Sequence, residues 1–192
     1  LQTLDRYYRG DHPLPAVQPE AQREFWRLLQ QSITNWMGLV VDATAERLRV
    51  VGFRFGPDPA GDADAWQIWQ SQNLDAASEL AHTTACVCGE ASVLVWADDS
   101  QQLQMTVEHP ADTAVEFDPV DHRRRLAALK LWSDDTTGVE YATLWLPDSV
   151  HRYQRDRTGL VWQSGSDAFR WQLREDGLPA EAPNPLQVVP VV

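Results

Sequence analysis

A chain of 192 residues, 43% hydrophobic and 23% charged, is long enough to bury its own core and too ordinary in composition to be a disordered or fibrous polypeptide. Its 16 basic and 28 acidic residues leave a formal charge of −12, which argues against a dedicated nucleic-acid binder, since that needs a cationic footprint to displace counterions. Cys86 and Cys88, the 2 cysteines, offer no disulfide framework and suit a reducing compartment. The longest apolar runs, such as residues 37–41, fall far short of a membrane span, so a soluble chain with no membrane partner is expected. The chain opens on Leu1 and closes on Pro190-Val191-Val192, from which both ends are expected to be cut from something longer. Lys130 is the one lysine among the bases, a bias that suggests GC-rich coding and says little about mechanism.

The first third reads as helical. Residues 19–31 begin with Pro19, Glu20 and Glu24, as the helix dipole prefers, and Phe25, Leu28 and Leu29 share a face. From Ile33 the positions Ile33, Trp36, Met37, Val40, Val41, Thr44 and Leu48 step by three and four. This spacing predicts a central buried helix with Trp36, Met37 and Val40 in the core. Residues 50–55 read as a short β-type run closed by a loop over 56–61. Asp62 or Asp64 is expected to cap a helix carrying Trp66 and Trp69. Asp75 is expected to cap another running to about Cys88, with Leu80, Thr84 and Val87 on one side and Gly89 as its stop.

Beyond Gly89 the hydrophobic period changes from helical to two. Segments 91–96, 102–108, 114–118, 124–132, 140–146 and 150–155 predict strands separated by polar or proline-bearing turns such as His109-Pro110, Asp118-Pro119 and Pro147-Asp148. Weaker strands at 160–163 and 169–174 precede a Pro-rich stretch over 179–190. Helices first and strands after them predict the α+β class, with N-terminal helices packed on a C-terminal antiparallel β-sheet. The expected division is 1–89 mainly helical, 90–178 mainly β, and a Pro-rich segment over 179–192.

Few residues suggest chemistry. His82 and Cys86 are four apart on a predicted helix, with Cys88 nearby, but structural zinc wants four such ligands, so inert thiols and no metal are expected. Glu108, His109, Glu116 and Asp118 stand at the ends of adjacent predicted strands and are the candidates for a metal-assisted hydrolase, nuclease-like or glycosidase-like. No second motif fixes a nucleophile or phosphate site: Ser164-Gly165-Ser166 lacks the second glycine of a nucleophile elbow, and a Gly-rich phosphate loop and a His-Glu-x-x-His pair are both missing. No catalytic residue, cofactor or enzyme activity is therefore expected. Arg123, Arg124 and Arg125 form the basic cluster, expected either to pair with neighbouring Asp118 and Asp121 or to meet a partner subunit or nucleic acid. The 9 tryptophans are expected mostly in the core, with exposed ones marking an oligomer interface or, in a stand-alone interaction domain, a peptide-binding surface.

Ordered local phrases carry more information than any of these. The opening Leu4-Asp5-Arg6-Tyr7-Tyr8-Arg9-Gly10-Asp11-His12-Pro13-Leu14-Pro15, the run Thr34-Asn35-Trp36-Met37-Gly38-Leu39-Val40-Val41-Asp42-Ala43 leading to Glu46-Arg47-Leu48, and Val51-Gly52-Phe53-Arg54-Phe55 resemble the N-terminal half of tailed-phage portal proteins of the siphophage type. Ala65-Trp66-Gln67-Ile68-Trp69-Gln70, Asn73-Leu74-Asp75, Ser92-Val93-Leu94-Val95-Trp96, Val107-Glu108-His109-Pro110, Pro183-Asn184-Pro185-Leu186 and the closing Val188 to Val192 phrase follow in the family's order. They are similar to its wing region up to where its stem begins.

The resemblance implies a non-enzymatic structural subunit of a phage or prophage of a GC-rich host. It implies a ring, usually of twelve copies, at one vertex of the capsid, with the virion as location and the host cytoplasm as the place of assembly. Terminase, the major capsid protein and head-completion or connector proteins are the implied partners. Double-stranded DNA is implied to pass through the channel without sequence-specific contact, and the negative charge agrees with DNA that slides rather than sticks. Family members continue into a stem, a clip and a crown with a tunnel loop, so the family's DNA-lining and terminase-docking residues have no matching positions here. Arg123, Arg124 and Arg125 are the candidate subunit-interface residues.

Overall fold

Helix-forming and strand-forming sequence separate just after Gly89, whose φ of +85° ends the last helix in the left-handed conformation that favours glycine. The computed structural model describes residues 1–13, 25–31, 34–56, 61–97, 100, 102–156, 170–174 and 179–192. It divides into two units, Leu1–Ala91 and Ser92–Val192, the first helical and the second built of antiparallel strands, which is the α+β class expected. No helix among the described residues is long and apolar enough to cross a membrane.

The first unit carries α1 (Gln2–Tyr8), α2 (Trp26–Gln31), α3 (Trp36–Ala45), α4 (Ala63–Ser71) and α5 (Leu74–Cys88). Asn35 caps α3: its side-chain oxygen accepts from Gly38 N at 2.9 Å, while its Nδ2 donates to the Tyr8 carbonyl at 2.8 Å. Tyr8 in turn donates its hydroxyl to Asp42 at 2.9 Å, so one capping residue and one tyrosine tie α1 to α3. Of the two expected candidates, Asp62 caps α4, accepting from Ala65 N at 2.8 Å, and Asp64 falls in the first turn. Asp75 does not cap α5. Asn73 stands at that position with φ +52°, and Asp75, in the first turn, accepts from Trp69 Nε1 at 2.8 Å and Gln70 Nε2 at 2.9 Å.

The face of α3 differs from the expectation. Trp36, Met37 and Val40 are 65%, 50% and 62% exposed, whereas Gly38 and Ala45 are buried. This helix is apolar almost all the way round over residues 36–41, so periodicity does not select a side. Close backbone approach does: a Cβ built on Gly38 would lie 3.1 Å from the Tyr8 carbonyl. On α5, likewise, Leu74 and Thr84 are buried while Leu80 is exposed. Residues 50–55 form no strand, because they find no ladder partner. Phe53 is instead held by α4, its carbonyl accepting from Asp62 N at 2.8 Å and its ring 6.2 and 5.4 Å from those of Trp66 and Trp69. The expected helix over 19–24 and the loop over 57–60 lie outside the described residues.

The second unit opens with a hairpin, β1 (Ser92–Ala97) and β2 (Leu103–Glu108), followed by β3 (Thr113–Phe117), β4 (Arg125–Asp134), β5 (Val139–Trp145), β6 (Ser149–Asp156), β7 (Gln172–Leu173) and β8 (Glu181–Pro183). The last six form one sheet in the order β3-β4-β5-β6-β7, with β8 also on β6. Strands β1 to β6 match the expected segments closely. The weak strand at 169–174 is realised as β7, the one at 160–163 lies outside the described residues, and β8 arises inside the Pro-rich stretch. Asn184 holds that stretch in place: it is buried, and its Nδ2 donates to the Leu146 and Val188 carbonyls, each at 2.8 Å.

The chain's end completes this unit. Val93 N donates to Val192 O at 2.8 Å, Val192 N to Val93 O at 2.9 Å, and Val95 N to Pro190 O at 2.9 Å, so β1 lies between β2 and the terminal residues. Leu94, Ala128, Val189 and Val191 form the core, with Val115 and Trp145 packed against it. The expected tryptophan core is not found among the described residues, and Trp162 lies outside them. Among the described residues Trp26, Trp36, Trp96 and Trp132 are exposed and Trp66, Trp69, Trp145 and Trp171 are half-buried. Alanine, valine and leucine side chains fill the interior instead.

Candidate functional site

Of the residues weighed for hydrolysis, Glu108, His109 and Asp118 are engaged by neighbouring groups. Glu108 ends β2, is buried, accepts from Thr106 Oγ1 at 2.7 Å and meets Lys130 Nζ of β4 at 2.7 Å. His109 starts the next turn, its Nδ1 accepting from Ala111 N at 3.1 Å. Glu116 is exposed on β3. Asp118 accepts from Val120 N at 2.8 Å and Asp121 N at 3.2 Å, and these two amides, with Arg124 adding its charge, hold its carboxyl below the usual range. Among the described residues no three His, Cys, Asp or Glu side chains are grouped to hold a metal. Cys86 is exposed and Cys88 half-buried, both as free thiols, and burial pushes the Cys88 thiol's pKa up, away from the reactive thiolate.

The arginine cluster splits by position. Arg123 and Arg124 lie in the exposed turn before β4, with Arg124 Nη1 3.8 Å from Asp118, a separation that gives little binding energy at an exposed site. Arg125, the first residue of β4, turns inward and donates from Nη1 to the Val191 carbonyl at 3.1 Å. It anchors the terminal segment, while its two neighbours remain on the surface.

A feature that the sequence pattern did not single out lies on the six-stranded sheet. The register sets Ala128, Lys130 and Trp132 of β4 opposite Trp145, Thr143 and Tyr141 of β5, and Thr143 opposite Arg152 of β6. Strand alternation puts all of these on one face. The core covers its Ala128–Trp145 end. The rest is an open groove of about 560 Å³ walled by Trp96, Trp132, Trp145, Lys130, Arg152 and Arg174, among others. The Trp132 and Tyr141 rings stack at 5.4 Å, and the Arg174 guanidinium lies 4.7 Å from the Tyr141 centroid and 5.9 Å from that of Trp132. Arg152 Nη1 donates to the Pro179 carbonyl at 2.9 Å. Among the described residues three bases and no acid line this groove, in a chain with 28 acids and 16 bases. Same-face alternation of Lys130 with Trp132 and of Tyr141 with Trp145 was the available sequence signal. Arg152 and Arg174 join them only through the register of β6 and β7.

Comparison with known proteins places this arrangement within a family. The portal protein of Mycobacterium phage L5 is 30% identical over 166 residues, covering 81% of this chain and 34% of that protein. The portal protein of Mycobacterium phage D29 is 29% identical over 166 residues, covering 81% and 33%. The chain thus spans about a third of the length of these curated relatives. The sequence profile described as phage portal protein, SPP1 Gp6-like, matches residues 1–192. With the family's profile running the whole length of the sequence, the chain belongs to the SPP1 Gp6-like phage portal protein family.

Proposed function

We propose that this chain is the wing-like part of a portal subunit, a structural protein of the phage head rather than an enzyme. The family match over residues 1–192 carries this reading, and the one-third coverage of the relatives supports placing the chain within a longer subunit. In that subunit, copies close into a ring of twelve at the capsid vertex. DNA passes through it during packaging and ejection, and terminase, the major capsid protein and the connector proteins attach around it, first in the host cytoplasm and then in the virion. A formal charge of −12 suits a wall along which DNA slides. The hydrolase reading has no support in the geometry, because Glu108 is committed to Lys130 and both His109 and Asp118 to their own turns.

The cluster Arg123, Arg124 and Arg125 is proposed as part of the contact between subunits, with Arg123 and Arg124 offering their guanidinium groups outward and Arg125 holding the turn against the terminal segment. Arginine is favoured in such contacts because its planar fork pairs with carboxylates. Native mass spectrometry on the full-length gene product tests the reading. A closed ring of twelve is expected, while the 192-residue chain alone is expected to be monomeric or weakly associated in dilute solution, its copies repelling one another at low salt. A full-length protein that is monomeric at every salt concentration would overturn it.

A further inference from the structure

We infer that the groove on the β4–β5–β6 face takes an acidic, partly apolar surface of a second copy of this chain. The observation is a segregation of charge. In a chain of net charge −12, the groove walls carry Lys130, Arg152 and Arg174 and, among the described residues, no carboxylate. Glu108 neutralises Lys130 from beneath, and Arg152 is fixed by a neutral carbonyl, so its guanidinium is held in place with its charge uncompensated by that bond.

Between these bases stand Trp96, Trp132 and Trp145. Trp96 and Trp132 are 43% and 36% exposed. Tryptophan and arginine are the side chains that dominate binding energy when a partner excludes water from them. Their area is costly to leave wet. A guanidinium already lying over the Trp132–Tyr141 stack is also preorganised, so little side-chain entropy is lost on binding.

The inference rests on the portal reading for its choice of partner. A ring uses heterologous contacts, in which one patch of each subunit meets a different patch on the next. A basic groove on a strongly acidic chain is complementary to the remainder of an identical chain, and that complementarity also fixes the direction of the contact.

Hydroxyl-radical footprinting read by mass spectrometry, on the full-length protein as dilute monomer and as assembled ring, tests this residue by residue. Oxidation of Trp96 and Trp132 should fall at least severalfold on assembly. Arg152→Glu and Trp132→Ala should each cut the ring fraction about tenfold in native mass spectra, and Arg152→Lys should retain it. Unchanged melting of the monomeric variants separates lost docking from lost folding. If no ring forms, the portal reading fails and this inference with it. If rings form but Trp132 is oxidised equally in both states, this inference alone is wrong. Protection of Trp132 already present in the monomer would assign the groove to another part of the same chain and overturn it too.

Discussion

Glu108 at the end of β2 and Lys130 in the middle of β4 form a 2.7 Å ion pair whose side chains are 9% and 27% exposed. It joins the hairpin to the six-stranded sheet through the chain's one lysine. Removing one partner strands the other charge: Lys130→Met leaves Glu108 with the Thr106 hydroxyl and should cost about 2–3 kcal/mol in urea unfolding. The double variant Glu108→Gln/Lys130→Met should recover much of that loss. Additive losses would show that the two side chains do not act as a pair.

Gly38 is expected to resist the substitution that helix propensity recommends. Alanine is intrinsically better in a helix by about 1 kcal/mol, yet a Cβ here would sit 2.6 Å from Asn35 Nδ2, which is pinned to the Tyr8 carbonyl. Gly38→Ala should lower the melting midpoint, and Asn35→Ala should cost about 1–2 kcal/mol by removing the cap. A stabilised Gly38→Ala variant would show that α1 moves aside freely.

Trp36→Ala should change the stability of the isolated chain by about 1 kcal/mol or less, because a ring that is 65% exposed leaves no cavity behind. A loss of about 3–5 kcal/mol, the range for a buried ring, would place it in the interior after all.

Val191 is 1% exposed and contributes to the core from the chain's end. Val191→Ala should cost about 2–3 kcal/mol from two lost methyl groups and the space they leave. Deleting residues 189–192 should abolish cooperative unfolding of the Ser92–Val192 unit, because β1 then loses its hydrogen-bonding neighbour on one side. Calorimetry showing an unchanged transition would demote the segment to a surface tail.

Acid should weaken the fold through specific aspartates. Hydrogen bonds from the Trp69 indole and Gln70 amide hold Asp75 below the usual carboxylate range, and the Thr137 hydroxyl and Thr136 amide do the same for Asp134. A carboxylate with a lowered folded-state pKa stabilises above its unfolded value, near 4, and loses that contribution as pH falls through the folded value. Melting midpoints should therefore drop as pH falls below about 4. Asp75→Asn should flatten that drop, and an equally steep profile in the variant would show that its hydrogen bonds contribute nothing.

Strands β1 to β6, the Asp62 cap and the Gly89 stop were legible in the sequence because each is written locally. Alternation with period two, a capping oxygen three residues before its amide, and a glycine where φ must turn positive need no knowledge of the rest of the chain. What each element meets was not legible in this way. Six consecutive apolar or small residues at the start of α3 announce burial without naming the buried side, and contact with Tyr8 chose Gly38 over Trp36. The bridge between Leu94 and Val191, the inward turn of Arg125 and the gathering of Lys130, Arg152 and Arg174 around three tryptophans depend on register and chain closure. Those are set by pairings between residues distant in sequence, for which local spacing carries no signal.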